Sequence, residues 1–136
     1  MNLLNGLPFV FILIVIRVYI DYVQIEIKQK YVNHFTREII QGGTMILIAL
    51  VTNHFNPLTW EIVTAQVVAY FAIFWILFDI GLNKARNYNW LYNTKSRKDT
   101  ASRFDKFIMS ISQNGATRLN IKLVILFIAL GVYYNY

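Results

Sequence analysis

The chain has 136 residues, 57% of them hydrophobic and 15% charged, with a formal net charge of +6. Soluble domains average about 45–50% apolar and about 25% charged residues, so this composition favours a membrane protein. The sequence contains no cysteine, which excludes disulfides and thiolate chemistry.

Apolar residues are clustered in four segments, with predicted bounds 3–22, 38–53, 60–82 and 121–134. Together they predict a single domain, 1–136, with an all-α fold: an integral membrane helical bundle of about four transmembrane helices. Crossing the hydrocarbon core takes about 20 helical residues. The third segment meets that length, whereas the fourth, at roughly 21 Å, is marginal.

Segment one, Leu3–Tyr22, is expected to be a retained helix. No basic region precedes it, and Arg17 interrupts what would be the apolar core of a signal peptide. Pro8 is assigned to the first turn, where a missing N–H loses no helical bond. Beyond Tyr22, whether the helix continues towards Val32 stays open.

Glycines and a proline in the next two segments indicate helix packing and helix ends. The Gly42-Gly43 pair of segment two is expected to allow close packing against a neighbouring helix. Asn56-Pro57 is typical of a helix start and predicts the beginning of segment three. Gly81 and Asn83 are taken as its end.

A polar stripe, Arg17, Asp21, Gln24 and Lys28, follows one face of the first helix. It fits a helix emerging among lipid headgroups, with Arg17 snorkelling towards them. The alternative is a polar seam facing other helices or a water-filled path.

The intramembrane polar candidates are completed by Asp79 and Gln66. Asp79 has two interpretations, an interface marker or a helix-pairing residue. If helices one and three run parallel, Arg17 and Asp79 lie at similar depth and are predicted to pair. Gln66 and Thr64 are expected to hydrogen-bond between helices.

The connection 83–120 is basic and aromatic. Tyr88, Trp90 and Tyr92 are predicted interfacial anchors. Thr100–Gln113 is predicted to form an amphipathic helix, ended by Asn114-Gly115, that lies either on anionic lipid or against the protein's own helices. Its lipid-surface candidates are Arg103, Phe104, Lys106, Phe107, Ile108 and Ile111.

Lysine and arginine also predict the orientation, because they concentrate in cytoplasmic loops of membrane proteins. The first connection carries Lys28, Lys30 and Arg37, and the second, 53–59, carries none. The third carries eight: Lys84, Arg86, Lys95, Arg97, Lys98, Arg103, Lys106 and Arg118. The first and third connections are therefore expected on the cytoplasmic side of a bacterial inner membrane, with both termini outside.

The run Phe78–Arg86, followed by Tyr88, Trp90 and Tyr92, resembles small uncharacterised membrane proteins of Bacteroidetes phages and prophages. Asn33-His34-Phe35 before an apolar helix adds to this resemblance, which covers about a third of the chain. It implies a lysis or host-envelope role and carries over no functional residue.

Function is predicted to be non-enzymatic and without a cofactor, because the sequence shows no motif that brings a nucleophile and a base together. A shared metal site is not expected, since the predicted topology puts His34 and His54 on opposite membrane faces. The leading hypothesis is oligomerisation or partner anchoring at the cytoplasmic face, with a holin-like protein as one form. The alternative is a subunit of an oligomeric ion channel or transporter, with a polar path along Arg17, Asp21, Gln66 and Asp79. Expected partners are anionic lipid headgroups and a second copy or membrane complex, not nucleic acid.

Overall fold

Helices account for almost all of the structure, a computed structural model that describes residues 3–27, 34–53, 60–91 and 115–135. Of these residues 93% are helical and none lies in a strand, which confirms the all-α prediction for the described part of the chain. The four helices are α1 (Leu3–Tyr22), α2 (His34–Thr52), α3 (Trp60–Ala85) and α4 (Gly115–Asn135). A π-helical turn, Val23–Ile27, extends α1.

Three of these helices are long and apolar enough to cross a membrane: α1 with its π-helical turn, α3 and α4. The sequence predicted about four spans, but α2 is not among those that the structure supports. Its first turns carry Arg37, Glu38 and Gln41, which lower the apolar content of a 19-residue helix.

Two helix starts differ from their predicted positions. α2 begins at His34 rather than 38, and α4 begins at Gly115 rather than 121. The 21 residues of α4 extend over roughly 32 Å, so its predicted length of roughly 21 Å was wrong. The added turn carries Arg118. A basic residue at this place is assigned to the preceding loop when only apolar residues are used to locate the helix. Pro8 lies in the second turn of α1, so placing it in the first turn was also wrong.

The end of α3 lies beyond both residues predicted to mark it. Asn87 adopts a left-handed conformation, with a φ of 57°. Its N–H donates to the Lys84 carbonyl at 3.0 Å, and the Tyr88 N–H donates to the Asn83 carbonyl at 2.8 Å. This bond pattern is the Schellman motif that ends many helices. Gly81 lies inside α3, where a Cβ would stand 3.0 Å from the Val18 side chain of α1.

The helices alternate in direction around α3, which packs against each of the other three. Contacts between helix ends show this alternation. Leu3 lies beside Tyr133, and Asn53 lies beside Gln66. At the opposite end Asp21 contacts Arg37. α1 and α3 are therefore parallel, as the sequence predicted, and α2 and α4 run the other way.

Apolar side chains from alanine to tyrosine in size fill the space between the helices. The fully buried members of this core include Val10, Met45, Ala49, Ala69 and Tyr70. No neighbouring atom lies within 4 Å of a Cβ placed on Gly42 or Gly43. The close packing predicted at that pair is therefore not found among the described residues, and the two glycines lie on the outer side of α2.

Large apolar side chains cover the outside of the helices as well as the inside. On α1 the exposed ones are Leu4, Phe9, Phe11, Ile12, Val15, Ile16, Tyr19 and Ile20. On α4 they include Val124, Phe127, Ile128, Val132 and Tyr134. An exposed apolar surface this extensive marks contact with a membrane or another protein.

Candidate functional site

Polar side chains divide the bundle into two chemically different ends. One end, here the charged end, is formed by the C-terminal ends of α1 and α3 and the N-terminal ends of α2 and α4, and it holds the interhelical ion pairs. The other, here the neutral end, holds a hydrogen-bonded network of uncharged groups.

An arginine of α2 joins α1 and α2 at the charged end. The Arg37 guanidinium donates to the carboxylate of Asp21 and to the side-chain oxygen of Gln24. The Asp21 side chain is only 4% exposed. Gln24 lies in the π-helical turn, a feature that often occurs at functional sites.

Arg17 lies on the same seam between α1 and α2. Its Nε stands 3.6 Å from a carboxylate oxygen of Asp21, and that buried Nε makes no hydrogen bond. Of the two interpretations of the polar stripe, this burial favours the seam facing another helix. Lys28, the last residue of the stripe, is outside the described residues.

A second ion pair joins α3 and α4, where the Lys122 ammonium donates to the Asp79 carboxylate. The Lys122 ammonium also lies 4.0 Å from the centroid of the Trp75 ring, a cation–π contact. The Lys122 side chain is 6% exposed and that of Asp79 is 39% exposed. Asp79 therefore pairs helices, one of the two roles considered for it.

The predicted partner of Asp79 was wrong. Arg17 and Asp79 do lie at similar heights, because the Val18 side chain lies against α3 at Gly81, where a Cβ would stand 3.0 Å from it. Their contacts differ, however, since Arg17 lies beside Asp21, which pairs with Arg37 of α2, whereas Asp79 pairs with Lys122 of α4. The predicted directions of two parallel helices fix the height of each residue along the bundle. They do not determine the direction in which its side chain points.

A third ion pair joins the parallel helices α1 and α3. Arg86 Nε donates to Glu26 Oε1 at 2.6 Å, and the Arg86 guanidinium lies 4.8 Å from the Tyr88 ring centroid. The Glu26 side chain is 39% exposed, so water screens this contact more than the pair at Asp21. Tyr88 and Trp90, two of the three predicted interfacial anchors, are exposed beside it.

The network at the neutral end is centred on Gln66, whose side chain is fully buried. Its oxygen accepts from Asn53 Nδ2 at 2.6 Å. Its nitrogen donates to the Tyr70 hydroxyl at 2.7 Å and to Thr52 Oγ1 at 3.2 Å. Gln66 thus hydrogen-bonds across to α2, as expected from the sequence, whereas Thr64 lies on the exposed face of α3.

The same network reaches the other two helices through Tyr70. The Tyr70 hydroxyl donates to the Leu3 carbonyl of α1 at 2.8 Å, and the Leu3 N–H donates to the Tyr133 hydroxyl of α4 at 3.1 Å. Gly6 makes this approach feasible, because a Cβ at that position would overlap the Tyr70 hydroxyl. All four helices are therefore joined by neutral groups at one level.

A small open cleft of about 50 Å³ lies at the charged end between α3 and α4. The loop that follows the Schellman motif forms one wall, held by a 3.1 Å hydrogen bond from Asn83 Nδ2 to the Trp90 carbonyl. Gly115 lets this loop approach α4, because a Cβ there would overlap the Leu91 carbonyl oxygen. The cleft lining includes Asp79, Arg118 and Lys122.

The sequence prediction missed Arg37 and Lys122 as partners of Asp21 and Asp79. Arg37 had been counted as a charge of the first connection, and Lys122, although inside the fourth predicted segment, had been given no role. Lys122 stands between Ile121 and Leu123, and a charge in that setting indicates a partner on another helix. Tyr92 and all six lipid-surface candidates, with their predicted amphipathic helix, lie outside the described residues. The described polar groups are arranged chiefly as contacts between helices, and no group of three or more His, Cys, Asp or Glu among them is placed to hold a metal ion.

Comparison with known proteins finds no matching family model, no similar curated protein and no similar solved structure.

Proposed function

We propose that the chain is a non-enzymatic integral protein of the bacterial inner membrane that acts by self-association or by anchoring a partner at the cytoplasmic face. One observation carries the proposal. The helices of span length expose large apolar side chains, while Asp21, Asp79 and Lys122, which lie among these apolar residues, each pair with a charged residue of a neighbouring helix. A bilayer covers such an outer surface and favours internal pairing of charges.

The division into ends supports the proposed orientation. The charged end adjoins the connections that carry Lys28, Lys30 and the basic run beyond Leu91. The neutral end adjoins the connection 53–59, which has no lysine or arginine. Positive charge concentrates on the cytoplasmic side of membrane proteins, so we place the charged end in the cytoplasm and the neutral end outside.

Self-association is supported by the outer face of α2. Ile39, Ile40, Ile46 and Leu47 are exposed there, and the open Gly43 lies between them. Small residues among apolar ones allow two helices to approach closely in lipid. A second copy is the occupant that we propose for this face, in keeping with a holin-like assembly or a membrane anchor.

Controlled expression in bacteria tests the proposal and separates its forms. We expect the protein in the membrane fraction, resistant to alkaline extraction and released by detergent. Abrupt lysis after a delay supports the holin-like form, and a stable membrane complex without lysis supports the anchor. Ion-selective currents from purified protein would instead support the channel or transporter subunit. Release by alkali without detergent would contradict membrane integration.

A further inference from the structure

We infer that the π-helical turn Val23–Ile27 is a conformational switch at the charged end of the bundle. In the form that the structure shows, the turn brings Glu26 to Arg86 and joins α1 to α3. In the alternative form the same five residues continue α1 as an α-helix, Glu26 turns away, and the end of α1 separates from α3. The switch gives the bundle a second state and does not depend on the proposed membrane location.

The geometry of the turn decides where Glu26 points. Residues five apart, such as Asp21 and Glu26, point about 140° away from each other in an α-helix, which turns about 100° per residue. In a π-helix, where each N–H bonds to the carbonyl five residues before it, such residues lie on one side. Asp21 pairs with Arg37 of α2 and Glu26 pairs with Arg86 of α3, and α2 and α3 pack against each other beside α1. The π-helical turn therefore lets α1 form both ion pairs.

The partner on α3 is fixed by contacts within its own part of the chain. The Arg86 N–H donates to the Leu82 carbonyl at 3.1 Å, and the Arg86 guanidinium lies 4.8 Å from the Tyr88 ring centroid. The Arg86 side chain is 10% exposed, whereas that of Glu26 is 39% exposed. Glu26 is therefore the movable member of the pair.

Contacts before the turn fix the rest of α1. Arg37 of α2 binds Asp21, and the Val18 side chain lies against α3 at Gly81. Both contacts lie outside the turn. A change from π-helix to α-helix therefore leaves them in place and moves the residues of the turn itself.

A contact outside the turn is needed to favour the π-helical form, because π-helices are far rarer than α-helices. Gln24, in the turn, accepts a bond from Arg37, but it lies three residues after Asp21 and stays near the same side of an α-helix. That bond is compatible with both forms. The pair of Glu26 with Arg86 fits the π-helical form alone, so its loss should shift the turn to an α-helix.

The test measures a distance by pulsed electron paramagnetic resonance in full-length protein released by detergent. Spin labels are placed at Ile27→Cys, in the turn, and at Ala85→Cys, an exposed position at the end of α3. Arg86→Gln should change their separation by roughly 5 Å or more, since the rotation moves a side chain across much of a helix about 10–12 Å in diameter. Glu26→Gln should give the same change, and it tests the pair if Arg86→Gln does not fold.

Lys84→Gln is the matched control, because Lys84 is exposed at the same end of α3 and the pair is formed by Arg86. It should leave the separation unchanged, and so should Arg86→Gln when the first label is at Tyr19→Cys, before the turn. An equal change in Lys84→Gln would overturn the switch. So would a changed separation from Tyr19→Cys, or an unchanged separation from Ile27→Cys in whichever of Arg86→Gln and Glu26→Gln folds.

Deletion of Ile25 distinguishes the switch from simple fraying of the helix end. It leaves Glu26 four residues after Asp21, about 40° away in an α-helix, so the pair with Arg86 forms without a π-helical turn. Arg86→Gln should then leave the separation of the labels unchanged. The same change with and without the deletion would show fraying and overturn the inference. Each of these outcomes is independent of alkaline extraction, which tests the proposed membrane location.

Discussion

At the scale of single residues, the neutral end shows what a sequence can and cannot predict. Gln66 in an apolar helix indicates a hydrogen-bonding partner on another helix, and its partners include Thr52 at the end of α2 and Asn53, the residue that follows. The extension through Tyr70 to Leu3 depends on Gly6, which lies 60 or more positions away in sequence from both Gln66 and Tyr70. Neither composition nor helical periodicity indicates which residues that far apart in the sequence come into contact, so only the folded chain reveals the full network.

Gln66→Leu should lower the free energy of unfolding by about 1–3 kcal/mol, because three hydrogen bonds made by its side chain are lost. Unfolding in mixed detergent micelles measures the change. Thr64→Val is the matched control, since Thr64 is exposed on the same helix two residues away and should change stability by less than about 0.5 kcal/mol. Equal effects of the two substitutions would argue against the network.

Gly6→Ala should destabilise the protein by about 1–3 kcal/mol, because the added methyl group overlaps the Tyr70 ring and hydroxyl. The same change in a Tyr70→Leu background should cost much less, since the overlapping atoms are gone. Gly131→Ala is the control, because no neighbouring atom lies within 4 Å of that position in α4 and alanine favours a helix. Additive effects of Gly6→Ala and Tyr70→Leu would contradict the close approach.

At the scale of helices, predictions succeeded where apolar periodicity and helix-start residues agree. α1 spans the predicted Leu3–Tyr22, and α3 starts at the predicted Trp60. They failed where polar residues belong to a helix. Asn83 and Lys84 continue α3 to a Schellman end at Asn87, and Arg118 lies in the first turn of α4. Such residues are compatible with either a loop or a helix until their partners on a neighbouring helix are known.

The pair between α3 and α4 should be energetically coupled. We expect Asp79→Asn and Lys122→Gln each to destabilise the protein by about 1–3 kcal/mol, a value reduced from that of a fully buried pair because Asp79 is 39% exposed. A double-mutant cycle should give a coupling energy of about 0.5–3 kcal/mol.

Arg17 provides the comparison for that cycle, since it lies at a similar height and beside Asp21, which pairs with Arg37 of α2. Arg17→Gln combined with Asp79→Asn should be additive within about 0.5 kcal/mol. A coupling between Arg17 and Asp79 as large as that between Lys122 and Asp79 would contradict the assignment of partners. The measurement is again unfolding in mixed micelles.

At the scale of the whole molecule, charge asymmetry connects sequence to the proposed role. The distribution of lysine and arginine among the connections predicted opposite faces before any contact was known. In the fold, ion pairs lie at one end of the bundle and neutral hydrogen bonds lie at the other. Contacts at both ends hold the bundle together, and the proposed orientation places the end with the ion pairs in the cytoplasm. In the proposed role, lipid covers the outer apolar surface and a second copy binds the outer face of α2.

Cysteine labelling in intact cells tests this orientation most directly, because the chain has no cysteine of its own. The two sites are Asn56→Cys, in the connection between α2 and α3, and Asn89→Cys, in the exposed loop after α3. A membrane-impermeant thiol reagent should label the first in intact cells and the second only after permeabilisation. Labelling of Asn89→Cys in intact cells with protection of Asn56→Cys would contradict the account, and so would protection of both sites in intact cells.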